Sequence, residues 1–309
     1  MIFTVTLNPA LDKEYTVPHL DLDTVLRASS IQVDYGGKGF NVSRMLASLG
    51  AENVAIGFLG GATGEFLRDG LTDMGIQTDF AWISSETRTN ISIVSKADGH
   101  HIKVNESGPT ISPDEISNLM KKIEGLICPG DWWVLAGSLP PGVHTDIYAQ
   151  LISIINIGGA KAVLDTSGEP LVLGCKVKPF LIKPNASEAA QLTGMPSNTP
   201  EQILNLAPSI HRMGVENLII SAGKKKSYLS DGESRCFGVS PPIDEKNPIG
   251  AGDAMVAGLV WRLEKGEPIK SAFPWGIACG AAAASKPGTG MPPRSQIDQL
   301  VQEIMIEEV

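Results

Sequence analysis

Cysteine is scarce in this chain and never clustered: Cys128, Cys175, Cys236 and Cys279 are far apart, and no C-x-x-C pair occurs. The five histidines also lack metal-ligand spacing, so no structural zinc is expected. Long apolar runs are missing. The run Ala278 to Ala284 is followed by Ser, Lys and Pro and falls far short of the roughly twenty residues a membrane span needs. The opening Met1-Ile-Phe-Thr-Val-Thr-Leu7 has neither a basic segment nor a small-residue cleavage site, so a reduced cytoplasm is the expected compartment. Positive charge is in deficit, with 25 Lys and Arg against 34 Asp and Glu and a net charge of −9. That excludes nucleic acid and anionic membrane as natural partners and leaves any important basic residue to act locally, on a small anion. Internal repeats and low-complexity segments are absent.

Two nucleotide signatures are missing as well. The first strand, Ile2 to Leu7, is apolar on both faces as a covered central strand should be, but Asn8-Pro9 follows it and not the glycine-rich dinucleotide fingerprint. Gly60-Gly-Ala-Thr-Gly64 comes close to that fingerprint but has Leu59 at the first glycine position, and reads as a strand–turn–helix joint. No G-x-x-x-x-G-K-[ST] loop occurs.

What is present is alternation. From Ser112 onward helical runs (Ser112 to Leu126, Thr145 to Ile157, Ala186 to Leu192, Pro200 to Met213) alternate with buried strands (Trp132 to Ala136, Lys161 to Asp165, Phe180 to Lys183, Asn217 to Ser221). Such alternation means parallel strands joined by right-handed crossovers. Ligands of these sheets bind beyond the carboxyl ends of the strands, where Ser138, Asp165, Asn185, Ser221 and the Gly250 loop should converge. Two segments stand apart. Leu11 to Val33 mixes apolar and polar residues in the manner of short exposed strands, and Asn90 to Ser95 with His101 to Asn105 form a hairpin around Asp98-Gly99. Together they read as a flap. The length of 309 residues permits one large α/β domain or two smaller ones.

Two glycine-rich helix starts carry the chemistry. Gly250-Ala-Gly-Asp253 opens a helix that stops at Gly266. Its bare N–H groups and the helix dipole favour an anion, and the carboxylate of Asp253 beside them suits a base for a hydroxyl attacking a phosphoryl group. The plain alternative is that Asp253 only caps the helix. Gly36-Gly-Lys-Gly39 opens the other helix, with Lys38 placed to meet a phosphate or a sugar; a tight turn with a solvated lysine is the alternative. Arg88, just before an exposed strand, is suited to clamp a phosphate in bidentate fashion, or else is solvated. Lys224-Lys-Lys226 reads as a solvated turn.

In these residues the chain resembles the PfkB (ribokinase-like) carbohydrate kinases. Gly36-Gly-Lys-Gly-Phe-Asn41 and Asn247-Pro-Ile-Gly-Ala-Gly-Asp253 resemble the two family signatures. Thr6-Leu-Asn-Pro-Ala-Leu-Asp12, Gly137-Ser-Leu-Pro-Pro-Gly142, Asp165-Thr-Ser-Gly168 and Lys183-Pro-Asn-Ala-Ser-Glu188 resemble its hexose-phosphate branch. The resemblance covers nearly the whole chain, with motifs in the expected order.

It implies a ribokinase-like three-layer α/β/α fold with a mainly parallel central sheet, built from residues 1–10, 34–87 and 107–309. A β-sheet lid of residues 11–33 and 88–106 covers the substrate and is the expected contact of a homodimer. It also implies ATP-dependent phosphoryl transfer to a ketohexose phosphate: fructose 1-phosphate first, with tagatose 6-phosphate and then fructose 6-phosphate as alternatives. A nicotinamide dehydrogenase and a phosphosugar-binding regulator without catalysis are the competing classes. Carried over position by position, Asp253 matches the catalytic base, and Gly250, Ala251 and Gly252 match the anion hole. Asp12, Gly37 and Asn41 match sugar-hydroxyl positions. Lys38, Arg88 and Ser138 match the substrate-phosphate positions, with Arg27 and Lys103 as further candidates from the flap. Lys183, Ser221 and Gly223 match nucleotide contacts. Asn185 and Glu188 match a site for Mg²⁺ held through water; Glu188 read alone is a surface charge in a first helical turn.

Overall fold

A computed structural model of the chain describes residues 1–222 and 226–309, so Gly223, Lys224 and Lys225 lie outside the described residues. Strand β1 (Ile2–Thr6) leads into β2 (Ala10–Val17) and β3 (Ser30–Gly36), followed by α1 (Lys38–Ser48), β4 (Asn53–Leu59) and α2 (Gly61–Asp73). Two short strands, β5 (Gln77–Thr78) and β6 (Ala81–Trp82), precede β7 (Arg88–Ser95) and β8 (His101–Asn105). The regular series then runs α3 (Pro113–Leu126), β9 (Trp132–Ala136), α4 (Ile147–Ile157), β10 (Lys161–Asp165), α5 (Gly168–Cys175) and β11 (Leu181–Ile182). It continues with α6 (Ala186–Thr193), α7 (Pro200–Arg212), β12 (Asn217–Ser221), β13 (Lys226–Ser230) and β14 (Arg235–Val239). Helices α8 (Ala251–Leu263), α9 (Ile269–Ala284) and α10 (Arg294–Leu300) and strand β15 (Met305–Glu308) close the chain.

The large sheet has the order β15-β14-β13-β12-β11-β10-β9-β1-β4-β5, with β6 pairing the far end of β4. It is parallel from β12 to β5. Alternate residues of each central strand feed two cores on opposite faces. Phe3, Val5, Trp133, Leu135 and Leu164 join side chains from α3, α4 and α7 on one face. Ile2, Trp132, Val134 and Val163 join α1, α8 and α9 on the other. This is the three-layer arrangement expected for a sheet whose strands are apolar on both faces. A separate four-stranded sheet, β3-β2-β7-β8, is formed by the two segments read as a flap.

The expected elements hold with small changes of boundary, and the misses have local causes. The far edge of the sheet is antiparallel: β13, β14 and β15 turn back on β12. The last of these, Met-Ile-Glu-Glu, is exposed at every position and has no alternating pattern to read. Helix α5 is hidden by Gly168 and Pro170, but that proline sits in the first turn, where its missing N–H costs no helical bond. Helix α9 contains Pro274 and still continues to Ala284.

Helix α8, which brings Asp253 to the sheet, is held by close packing on α9. A methyl group at Gly258 would stand 2.7 Å from both the Trp275 carbonyl oxygen and the Cys279 Sγ, and one at Gly276 would stand 2.7 Å from the Leu259 side chain. Overpacking at such a backbone contact costs about 1 to 3 kcal/mol. Gly258→Ala is therefore expected to lower the chemical-denaturation stability by that amount; an unchanged midpoint would show that the two helices can move apart freely.

Candidate active site

The connection from β1 passes outward through β2 and β3 and returns by α1 to β4, whereas β9, on the other side of β1, leads away toward β12. The strand order therefore reverses between β1 and β9, and a crevice is expected beyond their carboxyl ends. A cleft of about 520 Å³ lies there. Its walls include Asp12, Gly37, Lys38, Asn41, Arg88, Ser138, Lys183, Asn185, Glu188, Ser221, Gly250, Gly252 and Asp253. Thr6, Asn8, Gly137, Thr166, Ser167 and Ile249 complete it.

Asp253 is buried in the first turn of α8. The turn begins at Gly250, whose φ of 81° is left-handed and suits glycine. By position, the N–H groups of a first turn have no intrahelical partner; that of Ala251 bonds the Pro248 carbonyl at 3.2 Å, and Ala251 does not line the cleft. One Asp253 carboxylate oxygen accepts a 2.8 Å bond from the Asn41 amide on α1. Burial first, then the nearby Asp165 charge, pushes the Asp253 carboxyl up to about 6, against the pull of Lys38, the Asn41 bond and Lys183.

Asp165, at the end of β10, is 1% exposed. Its two oxygens meet the ammonium groups of Lys38 at 2.9 Å and Lys183 at 3.4 Å. Burial alone would push this carboxyl up; the Lys183 and Lys38 charges outweigh it and hold the group below its ordinary range. Lys38 is shifted upward: burial disfavours its charge, but the attraction of Asp165 and then Asp253 prevails. The Lys183 ammonium lies against Gly252, where an added methyl would stand 3.1 Å away.

On the small sheet, Asp12 accepts a 2.7 Å bond from the Asn90 amide. Burial raises its carboxyl, partly offset by that bond and by the Lys103 and Arg88 charges. Lys103 shares this face of the sheet but does not line the cleft. Arg27 is exposed between β2 and β3, also outside the cleft wall. Arg88 reaches the cleft, yet three of its N–H groups are engaged on backbone carbonyls: Asn8 at 2.9 Å, Pro9 at 3.3 Å and Glu106 at 2.7 Å. It ties together the strand connections that join the two sheets, and two of its five donors remain for a ligand.

Asn185 and Glu188 form a reciprocal capping box at the start of α6. The Asn185 N–H donates to Glu188 at 2.8 Å, and the Glu188 N–H donates to the Asn185 side chain at 2.9 Å. The pattern thus has a purely local role as well as a place in the cleft wall. No group of three or more His, Cys, Asp or Glu suited to a metal exists among the described residues. Asn185 and Glu188 as a donor pair fit a cation that keeps most of its water.

Comparison with known proteins decides the family. Residues 8–296 match the model of the "pfkB family carbohydrate kinase". The chain belongs to the pfkB family. It is a carbohydrate kinase similar to the 1-phosphofructokinase of Borreliella burgdorferi, 34% identical over 93% of this chain and 92% of that one. The 1-phosphofructokinase of Bacillus subtilis is also 34% identical, over 99% of each chain. Among solved structures it is similar to the phosphofructokinase-2 of Escherichia coli in complex with fructose-6-phosphate, with TM-score 0.91 and 29% identity over 98% of each chain.

Sequence reading of this kinase missed residues that act through another side chain. Arg44, buried on α1, donates to Asn41 at 3.4 Å and to the Thr289 hydroxyl and carbonyl at 3.0 and 3.1 Å. Its spacing of three from Asn41 is a helix-face signal that was available; its pairing with Thr289 was not.

A titration follows from the buried Asp253 carboxyl. The folded-state value of Asp253 lies above its ordinary 3.8, so the stability contributed by its neutral form is full below that value and lost as pH rises through about 6. Asp253→Asn removes the loss. The variant is expected to exceed the wild type in denaturation free energy at pH 8 by on the order of 1 to 3 kcal/mol, with no gain at pH 4. An equal gain at both values would contradict the raised carboxyl.

Proposed function

We propose that this kinase transfers the γ-phosphoryl group of ATP to fructose 1-phosphate, giving fructose 1,6-bisphosphate. The observation that carries the reading is the juxtaposition in one cleft of the buried Asp253, the glycine-rich start of α8 and two ammonium groups. The 1-phosphofructokinases that share its length and a third of its residues support the sugar.

In this reading Asp253 takes the proton of the attacking hydroxyl. A carboxyl raised to about 6 is ionised at neutral pH and a stronger base than an exposed one. Asn41 fixes the carboxylate and leaves its other oxygen for the hydroxyl. The Gly250 and Gly252 N–H groups, with the dipole of α8, offset charge on the transferring group, whereas the Ala251 N–H stays on the Pro248 carbonyl. Lys183, Ser221 and Gly223 serve the nucleotide. Asp12, Gly37 and Asn41 orient the sugar hydroxyls, while Lys38, the free donors of Arg88 and Ser138 hold the phosphate already present, with Lys103 and Arg27 as outer contacts. Asn185 and Glu188 would hold hydrated Mg²⁺, which supplies charge neutralisation for the nucleotide phosphates when bound.

The small sheet is proposed as the lid and as the contact of a homodimer. Its register places Asp12, Asp34, Asn90 and Asn105 in one row on the cleft side. The opposite face carries Val33, Ile91 and Val104 around Lys13, and Ile31, Tyr15, Ile93 and Ile102 in the next row. Ile31 and Val104 are about 60% exposed in the single chain, and a contiguous apolar face of this kind marks an association surface.

Three measurements test these proposals. In a coupled ADP-release assay, fructose 1-phosphate is expected to exceed tagatose 6-phosphate and fructose 6-phosphate in kcat/KM; a tenfold preference for either of the others, about 1.4 kcal/mol of transition-state stabilisation, reverses the choice of sugar. Asp253→Asn is expected to lower kcat by about 10² to 10⁴ with the fold retained, and wild-type turnover in the variant would remove Asp253 from the base position. By analytical ultracentrifugation the wild type should sediment as a dimer at micromolar concentration and Ile93→Glu as a monomer. A monomeric wild type excludes the lid contact.

A further inference from the structure

Lys38 and Lys183 come from distant parts of the chain, α1 and the residue after β11, and both line the cleft. Between them stands a carboxylate that is almost wholly buried. Each of its oxygens meets a different ammonium group, at 2.9 Å and 3.4 Å. Its backbone carbonyl also accepts a 3.0 Å bond from Gly137, beside the Ser138 turn. The side chain of Asp165 is not part of the cleft wall, whereas both lysines are. A buried carboxylate is costly unless paired, and here both of its pairs are residues that the proposed function assigns to substrates.

We infer that Asp165 is a positioning residue shared by the two substrates: through Lys38 it sets the phosphosugar site, and through Lys183 the nucleotide site, from a single buried carboxylate. The inference rests on the kinase reading for the assignment of each lysine to its ligand. Lysine is a flexible point charge on a four-carbon stem. Without a fixed partner each would spread over several rotamers, and a ligand phosphate would have to order it on binding. Anchoring on one carboxylate also spaces the two cations, one for the phosphate already on the sugar and one for the group being transferred. Asp165 has a second consequence, because its charge reaches Asp253. The groups facing that carboxylate are Asp165 from β10, Lys38 and Asn41 from α1 and Lys183 from beyond β11. Removing the Asp165 charge, and freeing two lysines to turn toward Asp253, both favour the ionised base.

The test is Asp165→Asn, which keeps shape and removes charge, alone and combined with Lys38→Met and with Lys183→Met. Asp165→Asn is expected to raise KM for both ATP and fructose 1-phosphate by about tenfold or more and to shift the acid limb of the kcat profile to lower pH. On the Lys38→Met background it should add less than about twofold to the sugar KM while still raising the ATP KM; on Lys183→Met the pattern reverses. Effects that multiply fully in both backgrounds, or a loss of kcat with neither KM nor the acid limb moved, would mean that Asp165 only supports the fold. If Asp165→Asn alone loses its fold, the charge-balanced Asp165→Asn/Lys38→Met chain, compared with Lys38→Met, reads the ATP arm by itself. Calorimetric titration with ATP decides that arm without turnover. A wild type that phosphorylates none of the three sugars therefore defeats the proposed function, while an unaltered ATP affinity in the variants defeats the role of Asp165.

Discussion

Two carboxylates and two ammonium groups meet at the carboxyl end of one parallel sheet, and the rest of the site depends on how that charge is balanced. Asp165 and Asp253 are both nearly excluded from water, and their mutual repulsion in such a place would drive one of them neutral. The two lysines do not divide themselves evenly. Both pair directly with Asp165, while Asp253 receives a neutral amide bond from Asn41. One carboxylate is thereby held firmly ionised and the other is left more basic. Two acids of the same type acquire different chemistry from their surroundings alone.

The fold serves that division by bringing the four groups from separate elements. Parallel strands deliver Asp165 and Lys183 to the same edge of the sheet, and the glycine-lined starts of α1 and α8 deliver Lys38 and Asp253. The glycines are structural in a specific sense. At Gly250 the backbone is left-handed, and at Gly252 a side chain would crowd the Lys183 ammonium. The contact of α8 on α9 through Gly258 and Gly276 fixes the helix that carries the proposed base, so small residues far from the cleft still set its geometry.

How much of this was legible in the sequence follows from distance along the chain. The Gly250-Ala-Gly-Asp253 turn could be read because its glycines, its acid and its helix are contiguous, and the alternation of strands with helices placed it at the ligand edge. The pairing of Lys38 with Asp165 spans 127 residues, so only the fold reveals it, and Asp165 read as one strand end among several. Arg88 shows the opposite case, a residue with a structural task that its type did not announce. Its residue type suited a phosphate clamp, but the connections around it leave carbonyls at Asn8, Pro9 and Glu106 that no strand satisfies, and the guanidinium takes them. The flap strands were legible from their alternation, yet which side of each strand was apolar mattered only once the register aligned Val33, Ile91 and Val104.

The capping box at α6 sharpens what a motif can mean. Asn185 and Glu188 satisfy each other's backbone N–H groups, and this alone would justify their spacing in any helix. Each still has acceptor capacity left over: the second lone pair of the Asn185 side-chain oxygen and the second Glu188 oxygen. Because both residues also line the cleft, the same pair can cap the start of a helix and, in the proposed function, offer acceptors to a hydrated cation without rearranging either bond. A helix start that is already capped is rigid, and a rigid carboxylate holds a water-bridged cation at lower entropic cost than a free surface acid would. In the proposed function the local role therefore supports the cation site, and the two readings of Glu188 are compatible.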